Sequence, residues 1–377
     1  MIRFGVIGLR RGRSFIRVCQ AVGGATVTAL YDVDAARVAR AAAEVGARPF
    51  TDLTAFLDAG FDAVVVASPV PFHAEQAVAA LAAGKHVLSE VTACQTLEEA
   101  KALVRAARSS RAVYMMAENY RYLDEVELLK RLHAGGRFGE LYYGEGEYLH
   151  DCRDLWYDED GGLTWRGRGL LGVYCTHSLG PLLYVADDRV ATVSALAAPG
   201  GRFDPRVTHP TMYLMQMATT RGMILRVRVD HTSPRPHQMA YYALQGTAGA
   251  AESWRGGGDQ SKVWLADEHE PSTVSGGAEW HPLAEQAPRY TPDRLAAPPE
   301  AKLGGHGTSE YWLLREFLAA VRGERECPID VYRALDYTLP GVLAVASAAA
   351  RGAPQTVPDP RAFTEPAAVG EIDKRIA

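Results

Sequence analysis

Ile2-Arg3-Phe4-Gly5-Val6-Ile7-Gly8-Leu9-Arg10-Arg11-Gly12-Arg13 decides how this chain begins to fold. Ile2–Ile7 is a short apolar run that stops at a glycine, the reading of a buried strand. Helical spacing then runs from Arg13 to Val22, so a strand passes through a glycine turn into a helix. Such a turn brings backbone N–H groups close to a pyrophosphate at a helix start. The usual spacing is G-x-G-x-x-G. Here Gly8 keeps the first glycine, Arg10 and Arg13 replace the second and third, and a glycine is shifted to Gly12. Alone, this is also what an ordinary glycine turn looks like. Asp32 supplies the other half of the signal. It follows a β-branched strand at Thr26–Leu30, where a carboxylate takes ribose hydroxyls and repels a 2′-phosphate. Gly8, Arg10, Gly12 and Asp32 together predict a site for NAD in preference to NADP.

The alternation continues outward from that start. Ala63–Ala67, His86–Leu88 and Ala112–Met116 read as buried strands. Asp34–Val45, His73–Ala83 and Thr96–Ser109 read as helices, with Gly84 at a C-cap position. Continuous apolar strands between helices predict an α/β fold with a doubly wound parallel Rossmann sheet over residues 1–122. The pattern changes after Tyr122. A helix at Glu125–His133 leads into alternating stretches at Leu141–Leu149, Val190–Ala197, Thr211–Ala218, Met223–Val229 and Met239–Gln245. Two-faced strands predict a C-terminal α/β domain, 123–377, with an open, mainly antiparallel sheet. Gly256 to Gly307, rich in Gly, Pro and Glu, reads as a long excursion around a strand-like Val263–Leu265. Tyr311–Val321 and Val331–Ala350 read as helices able to pack back on the first domain. An uncovered apolar sheet face needs a partner, which predicts a homodimer or higher homo-oligomer.

Bulk properties exclude several classes. At 377 residues the chain exceeds one ordinary domain. A net charge of −5, with arginines interspersed among acids, offers no basic groove for nucleic acid. Cys19, Cys94, Cys152, Cys175 and Cys327 are scattered without C-x-x-C spacing, which argues against a disulfide framework or a metal site and for a reducing compartment. No window approaches the roughly 20 apolar residues of a membrane span. No charged leader and apolar run precede Ile2, so the expected location is the cytoplasm.

Phe61-Asp62-Ala63-Val64-Val65-Val66-Ala67-Ser68-Pro69, then His73, then Ala83-Gly84-Lys85-His86-Val87-Leu88-Ser89-Glu90 is a specific string. It resembles the Gfo/Idh/MocA family of glucose–fructose oxidoreductases and inositol dehydrogenases, and the similarity runs through Gly139-Glu140-Leu141 to the last helix. The resemblance implies that Ser68, Pro69 and His73 line the cofactor, and that Glu90 is the glutamate of the family's E-K-P motif. It implies a substrate held between two domains against the nicotinamide. Two positions depart from the pattern. Val91 stands where family dehydrogenases carry a lysine, and Val173 where they carry an aspartate four positions before a histidine, here His177. Valine cannot accept a hydroxyl proton, so the usual dehydrogenase relay is missing.

Both departures match one branch. Tyr174-Cys175-Thr176-His177-Ser178-Leu179-Gly180-Pro181 resembles the Y-P-T-H-G-L-G-P motif of NAD-dependent α-N-acetylgalactosaminidases, which also read E-V for E-K. Glu118-Asn119, His150-Asp151, Trp165-Arg166 and Pro234-Arg235-Pro236 followed by Gln245-Gly246-Thr247 match further. By that resemblance Glu118, Arg166, Tyr174 and His177 are catalytic, and Trp165, His237 and His306 lie on the substrate side. Tyr174 and His177 have the chemistry for proton abstraction beside a carbonyl, Arg166 for polarising an oxyanion, and Glu118 for binding a hydroxyl or assisting departure of the aglycone. His237 replaces a tyrosine of that family. The implied reaction is glycoside cleavage by transient oxidation, elimination, water addition and re-reduction. A sugar or polyol dehydrogenase with another base, and a non-catalytic NAD-bound relative, are the alternatives.

Overall fold

A computed structural model describes residues 1–169, 171–236, 239–268 and 279–364. Six strands, β1 (Ile2–Ile7), β2 (Ala25–Tyr31), β3 (Arg48–Phe50), β4 (Ala63–Val66), β5 (His86–Ser89) and β6 (Tyr114–Met116), form one parallel sheet in the order β3-β2-β1-β4-β5-β6. This is the doubly wound order, with its reversal between β1 and β4. β4 is buried along its whole length, as its unbroken Ala-Val-Val-Val requires. The pairing of β3, and the five-residue helix Leu53–Leu57 that Asp52 caps, escape the sequence reading. Neither is long enough to show a period.

The second sheet holds β7 (Leu141–Leu149), β8 (Val190–Ala198), β9 (Met212–Thr219), β10 (Ile224–Asp230), β11 (Ala240–Gly246), β12 (Gly249–Glu252), β13 (Lys262–Leu265), β14 (His281–Pro282) and β15 (Gln355–Thr356). Their order is β14-β13-β12-β11-β7-β10-β9-β8-β15, antiparallel except where β7 and β10 run parallel. The excursion after Gly256 therefore adds two strands to one edge of this sheet. Helices Thr176–Ala186 and Val331–Ala349 cover the inner face, where Tyr148, Val227, Met215 and Val193 are buried. Gly146 on β7 leaves room for the Ser178 carbonyl, which brings the first turn of the Thr176–Ala186 helix onto the strand.

The outer face differs from the apolar surface expected. Leu196, Leu214 and Ile224 are exposed there, but its middle carries Glu145, Glu147, Arg226 and Arg228. Arg226 and Arg255 reach Glu147 at 3.2 and 2.7 Å. Alternation sets which residues share a face; it does not make that face apolar.

The chain then returns to the first sheet. Helix Ser309–Val321 packs on helix Gly12–Ala21, and the Phe317 and Phe4 rings lie 6.0 Å apart. Met116 of β6 donates to the Ile329 carbonyl at 3.0 Å. Among the described residues no helix is long and apolar enough to cross a membrane.

Candidate active site

The site residues of the first sheet sit just past the carboxyl ends of its strands, where open α/β sheets bind ligands. Gly8 follows β1 with φ +82°, and a Cβ there would stand 2.5 Å from the Ala67 carbonyl oxygen. The turn therefore closes only with glycine. At Gly12, where the helix begins, a Cβ would meet Val6 Cγ1 at 2.6 Å, so this glycine serves helix–strand packing. Asp32 is buried at the end of β2. Its Oδ2 accepts from the Leu9 N–H at 2.9 Å, and its Oδ1 accepts from the Asp34 N–H at 3.0 Å and Arg37 Nη1 at 2.8 Å. Gly8, Arg10, Asp32, Ser68 and Pro69 line a cleft of about 380 Å³, and the Ser68 hydroxyl donates to Gln76 Oε1 at 2.6 Å. A glycine-only turn, a helix N-terminus, two arginines and a ribose-side carboxylate are the donor set a dinucleotide needs.

His73 does not line this cleft. It is buried beneath it, its ring nitrogens 3.0 and 2.8 Å from the Thr92 and Ser68 carbonyl oxygens, and it ties the loop after β4 to the loop after β5. Burial pushes its imidazole below the ordinary value.

A second cavity of about 160 Å³ adjoins the cleft, and Arg11, Trp165 and Arg166 line both. Glu90 lies in this second cavity. It accepts from Arg11 Nε at 2.6 Å, while Arg11 Nη2 reaches Glu310 Oε1 at 3.3 Å. His306 Nδ1 donates to the same Glu310 oxygen at 2.5 Å. Burial pushes the Glu310 carboxyl up, but His306 and the Arg11 guanidinium outweigh it and hold it at about 2. Val91 and Val173 are both buried and carry no proton-exchanging atom.

Glu118 and His177 face each other at the centre. Glu118 follows β6 and is 0 % exposed, and its Oε1 is 2.7 Å from His177 Nδ1 and accepts from the Tyr120 N–H at 3.1 Å. Gly180 makes room for the Glu118 side chain, since a Cβ there would lie 3.1 Å from Glu118 Cγ. An ionised carboxylate only accepts, so this contact puts a hydrogen on Nδ1, and in the neutral imidazole the lone pair is then on Nε2. Tyr120 stacks on the His177 ring at 4.2 Å, and the Tyr242 hydroxyl holds the His177 carbonyl at 2.6 Å. Tyr174 packs edge-on to His177 at 5.3 Å. Burial and the Glu90 charge push the Tyr174 phenol up, so it stays protonated. Arg166 lies 4.2 Å over the Trp165 ring, and among the described residues no carboxylate pairs with it.

His237 lies outside the described residues. The other catalytic and substrate-side candidates, His177, Tyr174, Glu118, Arg166, Trp165 and His306, come together around the second cavity. Sequence reasoning missed Arg11, Tyr120, Tyr148, His231 and Glu310. His231 is 3 % exposed, lines the cavity, and has no hydrogen-bond partner among the described residues on either ring nitrogen. Burial, then the charges of His150 and Arg166, push it down to about 3. His231 precedes the quoted Pro-Arg-Pro piece by only three residues, and that spacing was the available signal.

Residues 2–118 match the model of the Gfo/Idh/MocA oxidoreductase family, NAD-binding Rossmann fold, and residues 209–367 match the glycosyl hydrolase 109 C-terminal domain. A glycosyl hydrolase family 109 protein of Streptomyces coelicolor is 30% identical over 95% of this chain and 83% of its own length. One from Porphyromonas gingivalis is 26% identical over 95% of this chain and 84% of its own. The fold is shared with levoglucosan dehydrogenase in complex with NADH and L-sorbose, at TM-score 0.78 and 22% identity, over 96% of this chain and 100% of that one. It is shared too with the WlbA dehydrogenase of Bordetella pertussis in complex with NADH and UDP-GlcNAcA, at TM-score 0.77 and 22% identity, over 95% and 98%. A Rossmann sheet that presents a glycine-only turn and Asp32, joined to a second sheet that holds His177 against Glu118, is thus an NAD-binding enzyme scaffold, and the chain belongs to glycosyl hydrolase family 109 of the Gfo/Idh/MocA oxidoreductases.

Proposed function

We propose that this enzyme cleaves a glycoside by transiently oxidising a ring hydroxyl of its sugar, with no net consumption of NAD. The observation that carries the reading is the buried His177–Glu118 pair, with Val91, next to the cavity-lining Glu90, at the position where dehydrogenases of the family carry a lysine. Gly8, Arg10, Asp32, Ser68 and Pro69 would hold NAD, which when bound would accept a hydride from the sugar and later return it, while the hydroxyl proton passes to solvent on oxidation and is regained on re-reduction. His177, fixed by Glu118 through Nδ1, presents Nε2 as the base that removes the proton from the carbon beside the new ketone. Arg166 stabilises the enolate oxygen that forms as this proton leaves. Tyr174 keeps its proton and donates a hydrogen bond to the departing or ketone oxygen. Loss of the C–H proton and of the aglycone leaves an unsaturated ketone. Water adds across it, and return of the hydride restores the hydroxyl, so the balance is hydrolysis. Trp165, His306 and His237 are assigned to sugar contacts, with residues 1–122 as the dinucleotide domain and 123–377 as the substrate domain.

We place the enzyme in the cytoplasm, in keeping with five free cysteines. We expect a homodimer or higher oligomer, since Leu196, Leu214 and Ile224 flank the charged middle of the open sheet face. The test is a panel of aryl glycosides with and without NAD, following aglycone and NADH together. Cleavage without NADH accumulation is expected. Stoichiometric NADH without aglycone release would replace this reading with a plain sugar dehydrogenase.

A further inference from the structure

A cavity of about 160 Å³ holds little more than one sugar ring, so a leaving group must lie outside it. One side leads to the dinucleotide cleft. On the other, Tyr120, Met239 and His306 are shared with a groove of about 380 Å³. That groove in turn shares Asp124, Glu125 and Trp254 with a cavity of about 520 Å³. The three share walls in series, leading away from His177. The far wall is built. Glu125 is half-buried at the start of helix Asp124–Ala134, and both its oxygens accept from serine hydroxyls, Ser253 and, at 2.8 Å, Ser261. The Trp254 N–H in turn donates to Ser261 Oγ at 3.2 Å. This network holds the backbone of Trp254, a residue that is 42 % exposed and lines both cavities. Tyr242 joins this wall to the reacting group, since it lines the groove and holds the His177 carbonyl.

Resting on the glycosidase reading above, we propose that this groove is a leaving-group subsite for a second, uncharged pyranose, with Trp254 as the platform under its ring. An aromatic face offers a large rigid surface at little conformational cost, and suits the apolar C–H face of a sugar. The charges select against an anionic occupant. Asp124, Glu125 and Asp259 line the groove and the cavity beyond it, and the one arginine among the described residues lining these two, Arg294, is committed to the Tyr122 carbonyl, Asp124 and Glu127.

The experiment compares Trp254→Ala with the wild type on two substrates of the sugar found in the glycoside panel: its methyl glycoside and its disaccharide. For the disaccharide, kcat/KM should fall by about tenfold, mostly in KM, with the methyl glycoside unchanged within about twofold. Trp254→Phe should restore most of the loss. A uronic acid as second ring should be the poorer substrate in wild type. Equal effects on both substrates, or no effect on either, would overturn the subsite. Saturation-transfer NMR of the disaccharide with the NAD-bound enzyme reads the approach of the second ring to the protein without turnover. If the second-ring signals disappear in Trp254→Ala, the subsite stands even where no glycoside is hydrolysed. If they keep their intensity in that variant, the subsite is rejected and the chemistry is left intact.

Discussion

In the cleft beyond β1 and β2, Asp32, Ser68 and Arg37 are already engaged. Asp32 accepts three hydrogen bonds, Ser68 gives its hydroxyl to Gln76, and Arg37 is held by Asp32 and Asp34. The neighbouring cavity is different. There, among the described residues, both His231 ring nitrogens and one Glu118 oxygen have no partner, and Arg166 rests on Trp165. An unsatisfied buried polar atom costs about 1–3 kcal/mol, so the second region keeps hydrogen-bonding capacity that a substrate hydroxyl can use. The contrast separates a rigid holder from a reactive pocket, and it can be attacked from either side.

The largest expected effect falls on the reactive side. His177→Ala should lower turnover by roughly 10²–10⁴-fold, the usual worth of a general base, while calorimetric NAD affinity stays unchanged. If NAD affinity falls together with turnover, the two regions are not separable in this way. Deuterated water gives an independent reading: product should carry deuterium at the carbon next to the oxidised one.

Glu310 sits on the seam, bonded to Arg11 of the glycine turn and to His306 of the pocket. Its carboxyl is held at about 2 against an ordinary 4.5. A depressed acid contributes stability that is complete above its unfolded value and is lost as pH falls through its folded one. The loss should therefore run from about pH 4.5 to about 2 and amount to on the order of 3 kcal/mol. Glu310→Gln should flatten the melting curve over that window. An unchanged slope would mean the seam is not held by this charge.

On the holder side, NADP should bind at least about tenfold more weakly than NAD by calorimetry, because Asp32 faces the 2′ position. Asp32→Ala should shrink the gap, since Arg37, then held by Asp34 alone, would have its Nη1 left to meet the extra phosphate. Equal binding in the wild type would break the assignment of Asp32.

How much of this was legible follows the same divide. The holder is local in sequence: Gly8, Gly12 and Asp32 lie within one strand–helix–strand unit, and periodicity places them at strand ends. The pocket is assembled from residues far apart in the chain. Glu118 follows β6, His177 opens a helix 59 residues later, and Glu310 comes from the returning C-terminal helix. The family motif exposed Glu118, Tyr174 and His177. No spacing ties Arg11 to Glu310, 299 residues away, so their pairing could not be read. His73 shows the opposite failure: the motif named it, but only packing shows that it braces two loops below the cleft.

The smallest effect is the most discriminating. His231 is neutral in the working pH range, because burial and the charges of His150 and Arg166 hold it at about 3. It can therefore offer a substrate hydroxyl one donor and one acceptor, both unused in the free protein. His231→Leu removes those atoms and replaces them with an apolar side chain of similar bulk. If the nitrogens await a sugar hydroxyl, kcat/KM should fall by about tenfold through KM, the worth of a lost hydrogen bond to substrate. The substrate-free, NAD-bound enzyme should melt at the same temperature or a few degrees higher, since the penalty for the orphaned atoms is gone. The pH–rate profile should keep its shape, because His231 does not titrate there. A core histidine with a structural role would show the reverse, a lower melting temperature with activity tracking the folded fraction. That result would erase the contrast between the two regions at the residue where it is sharpest.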